Sequence, residues 1–533
     1  MKVYYSKYIK SNSLLDLASA LEACERLCAD TLVFEKSTYV FDDTYAPDTS
    51  MCISNHGEIG YRKSAFLLDG VTDFTIDGGG STFVFRGTMN AFSVLNCKNV
   101  TIKNLTIEFP DYPYPNGFVT NVGDHYFDMR FDSDSVILES DGTLYVKSGD
   151  FCDKVHCDVR FDRETHEIVR GTGDNSLGKN LNKIEKEVLG DRRIRFFDPP
   201  IMPKENDVFG LLTGKRRASG ILLDRSDHTY IENVVIHSCI GIGVMAQGCK
   251  NITVDGLTVT ASEGRYVSSA ADATHFVGCT GNVTVKNSLF EHMLDDALNV
   301  HGIYTKVVCA GEDCAVVKFM NPASVGIDLF KKGDRVVSVD PDTLKSVEFL
   351  TVKEAKLINR EHIRLTFEEH TDVKFGDLID NVSAYPTLLF ENNVVRNNRA
   401  RGILIATNRP AVVRNCRFHT SGSAIVLECD GRFWFESGAV QDLTIENNLF
   451  DDCRYANWDR GVISIPEGKR IVDGFYYHGR IEIKNNVFKG ANDVNVYADN
   501  VSELIYAENK GDEHRLMIRH VGKTSLQTGV RTE

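Results

Sequence analysis

One pattern returns nine times along the chain: a short apolar-polar strand, a corner of Asn or Gly, then a second short strand. It reads TIDGGG at Thr75–Gly80, TIKNLTI at Thr101–Ile107, YIENVVI at Tyr230–Ile236 and TVDGLTV at Thr253–Val259. It continues as TVKNSLF at Thr284–Phe290, LFENNVV at Leu389–Val395, VVRNCRF at Val412–Phe418, TIENNLF at Thr444–Phe450 and EIKNNVF at Glu482–Phe488. The fourth position is Asn104, Asn233, Asn287, Asn392, Asn415, Asn447 or Asn485, with Gly78 and Gly256 in the other two copies. Asn and Gly best tolerate left-handed backbone. A corner of this kind, flanked by β-branched residues, is what a coiled parallel sheet requires, and stacked Asn side chains can hydrogen-bond along the coil. Adjacent corners lie 23 to 38 residues apart, except across two much longer gaps. The pattern predicts an all-β chain, a right-handed parallel β-helix. A β-sandwich could use similar strands, but it has no reason to repeat Asn at one corner.

The two long gaps predict insertions. Residues 108–215 and 303–386 carry alternating strand patterns such as HYFDMRF, KKGDRVVSVD and HIRLTFEE, and read as antiparallel, barrel-like β domains projecting from the coil. The helical turns then occupy 1–107, 216–302 and 387–533. Ser13-Leu-Leu-Asp16 predicts a capped helix running to about Cys28, followed by a strand pair over Thr31–Phe41. Such a helix would close the open end of the coil.

The densest polar run is Gly264–Gly302. Asp272 sits in DATHF, and Asp295 and Asp296 in LDDALNVHG, 23 and 24 residues later, about one turn. Neighbouring turns stack about 4.8 Å apart, so Asp272 should lie beside the pair. Strand alternation would send Asp295 and Asp296 to opposite faces. Both reach one cleft only if the pair sits at a corner or bulge. Clustered carboxylates raise one another's proton affinity, so one can serve as general acid and another as base. That is the equipment of glycoside hydrolysis, whose inverting form separates acid and base by about 6.5–9.5 Å. Side chains on adjacent turns can span that range. Arg265, His275, Asn299 and His301 are candidate contacts to sugar hydroxyls. The bland alternative is a turn-capping Asp pair, or one binding a structural cation. A second candidate patch is Glu428–Asn448, where Trp434, one of 2 Trp, lies between Glu428 and Glu436. Its aromatic face beside carboxylates suits a sugar. Arg401 reads as a sugar contact or a surface charge. Cys279 as a nucleophile conflicts with its place in the repeat, which it shares with Cys97 and Cys249.

Composition narrows the function class. A net charge of -15 disfavours phosphate backbones and acidic membrane surfaces. No apolar run approaches the ~20 residues of a membrane span. The 14 Cys have no zinc spacing and, without a leader-like N-terminus, favour a reducing, cytoplasmic setting; export is expected if a signal once preceded this sequence. The sequence leaves oligomeric state open, a homo-oligomer included.

DATHF, then DDALNVHG one turn later, then FWFESG, resembles glycoside hydrolase family 110. The resemblance covers most of the chain, both insertions included. It implies an exo-acting β-helix enzyme removing terminal α-1,3-linked galactose, as in the blood group B epitope, by inversion and without metal or cofactor. Carried over, its essential aspartates are Asp272, Asp295 and Asp296, with Asp295 as general acid and the other two positioning and activating water. Three alternatives differ in their signatures. A polygalacturonase-like enzyme would carry Asn-Thr-Asp and Gly-His-Gly, where this chain has Ala271-Asp272-Ala273 and Val300-His301-Gly302. A lyase or epimerase would place basic residues or Ca²⁺ beside an acidic sugar. A noncatalytic carbohydrate-binding solenoid would spread aromatic ladders over many turns.

Overall fold

The computed structural model describes residues 1–533 apart from 12, 58, 112–113, 149–150, 457, 467–469, 491–493 and 512. Each repeat copy alternates inward and outward. In Thr280–Lys286, Val283 and Val285 are buried while their neighbours are partly exposed. Three strand columns result, each stacked in parallel. The first includes Asp227–Ile236, Lys250–Asp255, Thr280–Lys286, Pro386–Glu391 and Ala411–Arg414. The second follows each corner, as in Thr258–Val259, Leu289–Glu291, Val394–Arg396 and Arg417–His419. The third stacks Ile221–Asp224, Val244–Gln247, Thr274–Val277, Leu298–Ala310, Ile403–Ile405 and Ile425–Val426. The residues inside the coil, among them Val285, Phe290, Phe276, Val300 and Ile405, form one continuous core.

The corners are left-handed as the residue types require: φ is 57° at Asn104, 51° at Asn233, 70° at Gly256 and 57° at Asn447. Asn104 donates to Asp77 at 3.0 Å, Asn233 to Asn104 at 3.4 Å and Asn392 to Asn287 at 3.3 Å, so the side chains form a partial ladder. Gly78 departs from the pattern. The chain bulges between Asp77 and Ser81, and the left-handed residues there are Gly79 and Gly80. At Gly78 a Cβ would stand 2.5 Å from that of Leu105, so the glycine serves close approach instead. A second ladder, fully buried, runs one position later: Asn448 donates to Asn486 and Asn486 to Asn509, each at 3.0 Å. Cys97, Cys249 and Cys279 lie buried in the core, and all 14 cysteines are free thiols.

The helix Leu14–Arg26 is N-capped by Ser13, and its apolar face packs on the first strands of the coil. The first insertion is an eight-stranded antiparallel sheet built on a core of its own. The second closes on itself. Leu298–Ala310 pairs with Cys314–Phe319, that strand with His362–Phe367, that with Ser346–Asn359, that with Arg335–Val339 and that with Leu378–Asp380, which returns to Leu298–Ala310. The first insertion leaves the coil after Lys98–Glu108 and returns just before Ile221–Asp224, which stacks on Asn90–Leu95 in the third column; the second leaves from the end of a strand of that column. Their exits therefore flank the outer face of the third column. Apolar residues of the second barrel pack on Leu222, Met245 and Val277 of that face.

Candidate active site

The register of the third column sets the site. Thr274 pairs with Leu298 and Leu298 with Ile403. Asp272, Asp296 and Arg401 each stand two residues ahead of these partners, in the turn that enters the strand. They form a ladder of two carboxylates and a guanidinium on three successive turns. The Asp296 N–H donates to Asp272 Oδ1 at 3.2 Å. Asp295 and Asp296 thus lie in a turn, outside regular strand, and both line one cleft with Asp272. The condition placed on the pair by its sequence is met.

One oxygen of each aspartate lies within 4.8 Å of the others. This is tighter than the ~6.5–9.5 Å expected for an inverting pair, because Asp272 and Asp296 stack at the spacing of adjacent strands. Arg401 grips both oxygens of Asp296, at 3.0 and 3.1 Å. Asp295 meets three guanidiniums, at 3.3 Å from Arg216, 3.6 Å from Arg401 and 4.0 Å from Arg399. Arg399 is itself held by Asp174 of the first insertion. A cation seated among the three carboxylates would compete with these arginines.

Strand alternation sends His275, Asn299 and Leu404 outward at matched positions on three turns. His275 Nδ1 makes a short hydrogen bond with Asp272 Oδ2. Its Nε2 lies 2.9 Å from His301 Nε2 and 3.2 Å from Asn55 Nδ2. Asn299 lines the cleft, and its Oδ1 is buried without a hydrogen-bond partner. His301 is buried behind His275 and does not line the cleft; its Nδ1 lies 2.6 Å from the Gly302 carbonyl. Glu436 pairs with Ile303 across an antiparallel bridge, which brings its Oε1 to 3.6 Å from His301 Nε2. Glu428 stands 3.8 Å from Arg401. Trp434 and Phe433 are 47% and 70% exposed and meet edge to face at 5.0 Å. Asp430 shapes their loop by accepting the N–H groups of Arg432, Phe433 and Trp434.

Arg265, like His301, is a candidate that does not line the cleft. Its guanidinium bonds the Phe109 and Pro110 carbonyls at 3.3 and 2.9 Å, clamping the exit of the first insertion. Sequence reasoning does not single out Arg216, Arg399, Asn55 or Phe433, which line the cleft or its arginine cluster. Arg399 and Phe433 each adjoin a residue singled out in the sequence. Arg216 and Asn55 arrive from an insertion end and an N-terminal loop, and no local motif marks them. The cleft has a volume of about 340 Å³ at the aspartates. It continues past Asn55, Arg216, Phe433 and Trp434 into a space of about 880 Å³.

The chain is 31% identical over 522 residues to alpha-1,3-galactosidase B of Parabacteroides distasonis, covering 92% of this chain and 84% of the relative. The chain belongs to the α-1,3-galactosidase family, glycoside hydrolase family 110. Proteins of the same name from Bacteroides fragilis and Bacteroides thetaiotaomicron are 32% and 28% identical over 541 and 514 residues, covering 94% and 93% of this chain and 89% and 83% of theirs. Residues 315–379 match the GLAA-B beta-barrel domain II, and residues 378–511 the right handed beta helix region.

In this α-1,3-galactosidase family member the three carboxylates differ in charge. Burial, and then the charge of Asp295, pushes Asp272 up to about 8. Burial also pulls Asp295 upward, but Arg399, Arg401 and Arg216 outweigh it and hold its carboxyl below the usual range. Burial and the two neighbouring aspartates push Asp296 up, against the Arg401 fork. Both Asp296 oxygens accept from Arg401, whereas among the described residues Asp272 is within ion-pair distance of no Lys or Arg side chain. Burial, with His301 adding to it, pushes His275 down to about 3 and keeps it neutral.

Proposed function

We propose that the protein hydrolyses terminal α-1,3-linked galactose from the non-reducing end of glycans, the blood group B epitope among them, with inversion at the anomeric carbon. The observation that carries this reading is the Asp272–Asp296–Arg401 ladder with Asp295 beside it, lining the cleft. Asp272, protonated at neutral pH, donates to the glycosidic oxygen as the C1–O bond breaks. Asp295, ionised and the most exposed of the three aspartates, takes the proton of the water that attacks C1. This reading differs from the sequence expectation of Asp295 as acid; what supports it is the three guanidiniums beside Asp295. The short carboxylate separation leaves no room for water on the line between donor and base, so the water is held beside Asp295, in the cleft. Asn299 Oδ1 offers an acceptor to a sugar hydroxyl, and Trp434 a face to the sugar ring. The smaller space at the aspartates suits one terminal sugar, and the larger one the residues behind it.

The test is galactose release from Galα1-3Gal and from the fucosylated B trisaccharide. Release from at least one is expected. No release from either, by folded protein, overturns the reading.

A further inference from the structure

A separate cavity of about 620 Å³ lies between the second insertion and the coil turns that carry Asn408, Ala439 and Tyr477. It shares no lining residue with the cleft or with the larger space that continues it. Asp380 lines this cavity and is only 6% exposed. The hydroxyls of Tyr385 and Ser437 both donate to Asp380 Oδ1, each at 2.7 Å. Among the described residues, Oδ2 has no hydrogen-bond partner, and no Lys or Arg stands within ion-pair distance. Burial pushes the carboxyl up to about 6, so at neutral pH it is mostly ionised, with one oxygen left to the cavity. A buried carboxylate oxygen without a donor is costly, and a bound hydroxyl removes that cost. Asn408, on the same lining, adds a second open acceptor. Its Nδ2 donates to the Val382 carbonyl at 3.3 Å, while its Oδ1 is buried without a partner.

We propose that this cavity is a second, noncatalytic binding site for a neutral sugar residue, whose hydroxyls donate to Asp380 Oδ2 and Asn408 Oδ1. Both open groups are acceptors, so the ligand must bring donors. The unpaired carboxylate repels a uronate, sialate or phosphate. The guanidiniums of Arg335 and Arg409, also on the lining, repel a metal ion or an amine. An uncharged ligand rich in hydroxyls meets both conditions. Phe349, 54% exposed, and Phe475 and Tyr476 on the same lining offer aromatic faces to its C–H groups. The short strand Glu436–Ser437 stands between the two sites. Its Glu436 lines the cleft, and its Ser437 bonds Asp380. Alternation along the strand sends these neighbours to opposite sides. A branched glycan with one arm held in the cavity stays close to the cleft, which raises the local concentration of its other arms there.

Equilibrium dialysis of the whole protein against galactose tests the proposal. Asp380→Asn keeps Oδ1 for Tyr385 and Ser437 and turns the open oxygen into an amide nitrogen. Ser346→Trp, at an exposed position on the lining, fills the cavity from its edge. The wild type is expected to bind one more galactose per chain than Ser346→Trp, and Asp380→Asn to weaken that site about tenfold. Galactose held in the cleft is common to all three proteins and cancels in the comparison. A melting temperature near that of the wild type shows that each variant is folded. Ser346→Trp leaves the Asp380 hydrogen bonds intact, so it decides the case if Asp380→Asn is unstable. Equal galactose binding by the wild type and the folded variants overturns the site. So does one Ca²⁺ per chain bound by the wild type and lost in Asp380→Asn, which gives the cavity to a cation. The readout is binding without hydrolysis, so its outcome is independent of the galactosidase reading.

Discussion

Asp272 and Asp296 occupy the same place on adjacent turns, two residues ahead of the paired Thr274 and Leu298, and the Asp296 N–H donates to Asp272 at 3.2 Å. The register of the sheet thus sets the distance between two acids. Charge compensation by arginines on later and earlier segments then decides which acid keeps its proton.

The first consequence is a pH limb. Asp272 is held up to about 8, chiefly by burial. A donor with a raised pKa is loaded below that value and empty above it, so kcat/KM is expected to fall as pH rises through about 8. Asp272→Asn should lower kcat on the disaccharide by about 10²–10⁴-fold at neutral pH and abolish the limb. A pH–rate profile of both proteins checks this; a limb unchanged in the variant assigns it elsewhere.

Arg401 and Asp296 give a stability prediction. Asp296 is fully buried, and Arg401 bonds both its oxygens. Arg401→Met strands a buried acid, at a cost of about 3–5 kcal/mol. Adding Asp296→Asn should recover much of that stability without restoring activity. Urea denaturation of the single and double variants measures the coupling. Additive losses would mean that the pair is not coupled.

The corners make a conformational prediction. Asn447 has φ 57°. Asn447→Gly fits that backbone, whereas Asn447→Val forces a β-branched residue into it, at about 1–2 kcal/mol. Thermal unfolding should place Val well below Gly at this position. At Gly78 the order changes in kind: Gly78→Ala is damaging through contact with Leu105 and Asn104, since its backbone is not left-handed.

Trp434 predicts a binding effect. It is 47% exposed on a loop fixed by Asp430 and by Asn321 of the second insertion, which donates to the Phe433 carbonyl at 3.1 Å. Trp434→Ala should raise KM for the disaccharide by about tenfold, with a smaller change in kcat. A loss confined to kcat would move Trp434 from substrate binding to support of the aspartates.

Much of the coil was legible because its signals are local. The preference of Asn104, Asn233 and Asn447 for left-handed backbone is a property of one residue. The alternation around Val283 and Val285 is a property of a few. Asp272 and the Asp pair were legible because one turn of chain separates them. What lay hidden depends on distant segments. Arg216 reaches Asp295 from the end of an insertion, and Asn55 reaches His275 from a loop before the coil is well under way. Without Arg216, Arg399 and Arg401 around it, nothing in LDDALNVHG says that Asp295 stays ionised. The same holds for Arg265, which sits in the catalytic stretch by sequence yet clamps the exit of the first insertion. The Asn486 ladder is not legible in the sequence, because a second Asn beside a corner Asn looks like a solvent-facing side chain until the turns are stacked.

The central claim is that water attacks C1 directly with Asp295 as base. Proton NMR of Galα1-3Gal hydrolysis, followed from the first minutes, tests it most directly. The account predicts that the H1 signal of β-galactose appears first and that of α-galactose grows only by mutarotation. α-Galactose appearing first would contradict it, since retention requires a carboxylate to bond C1 and no direct attack by water.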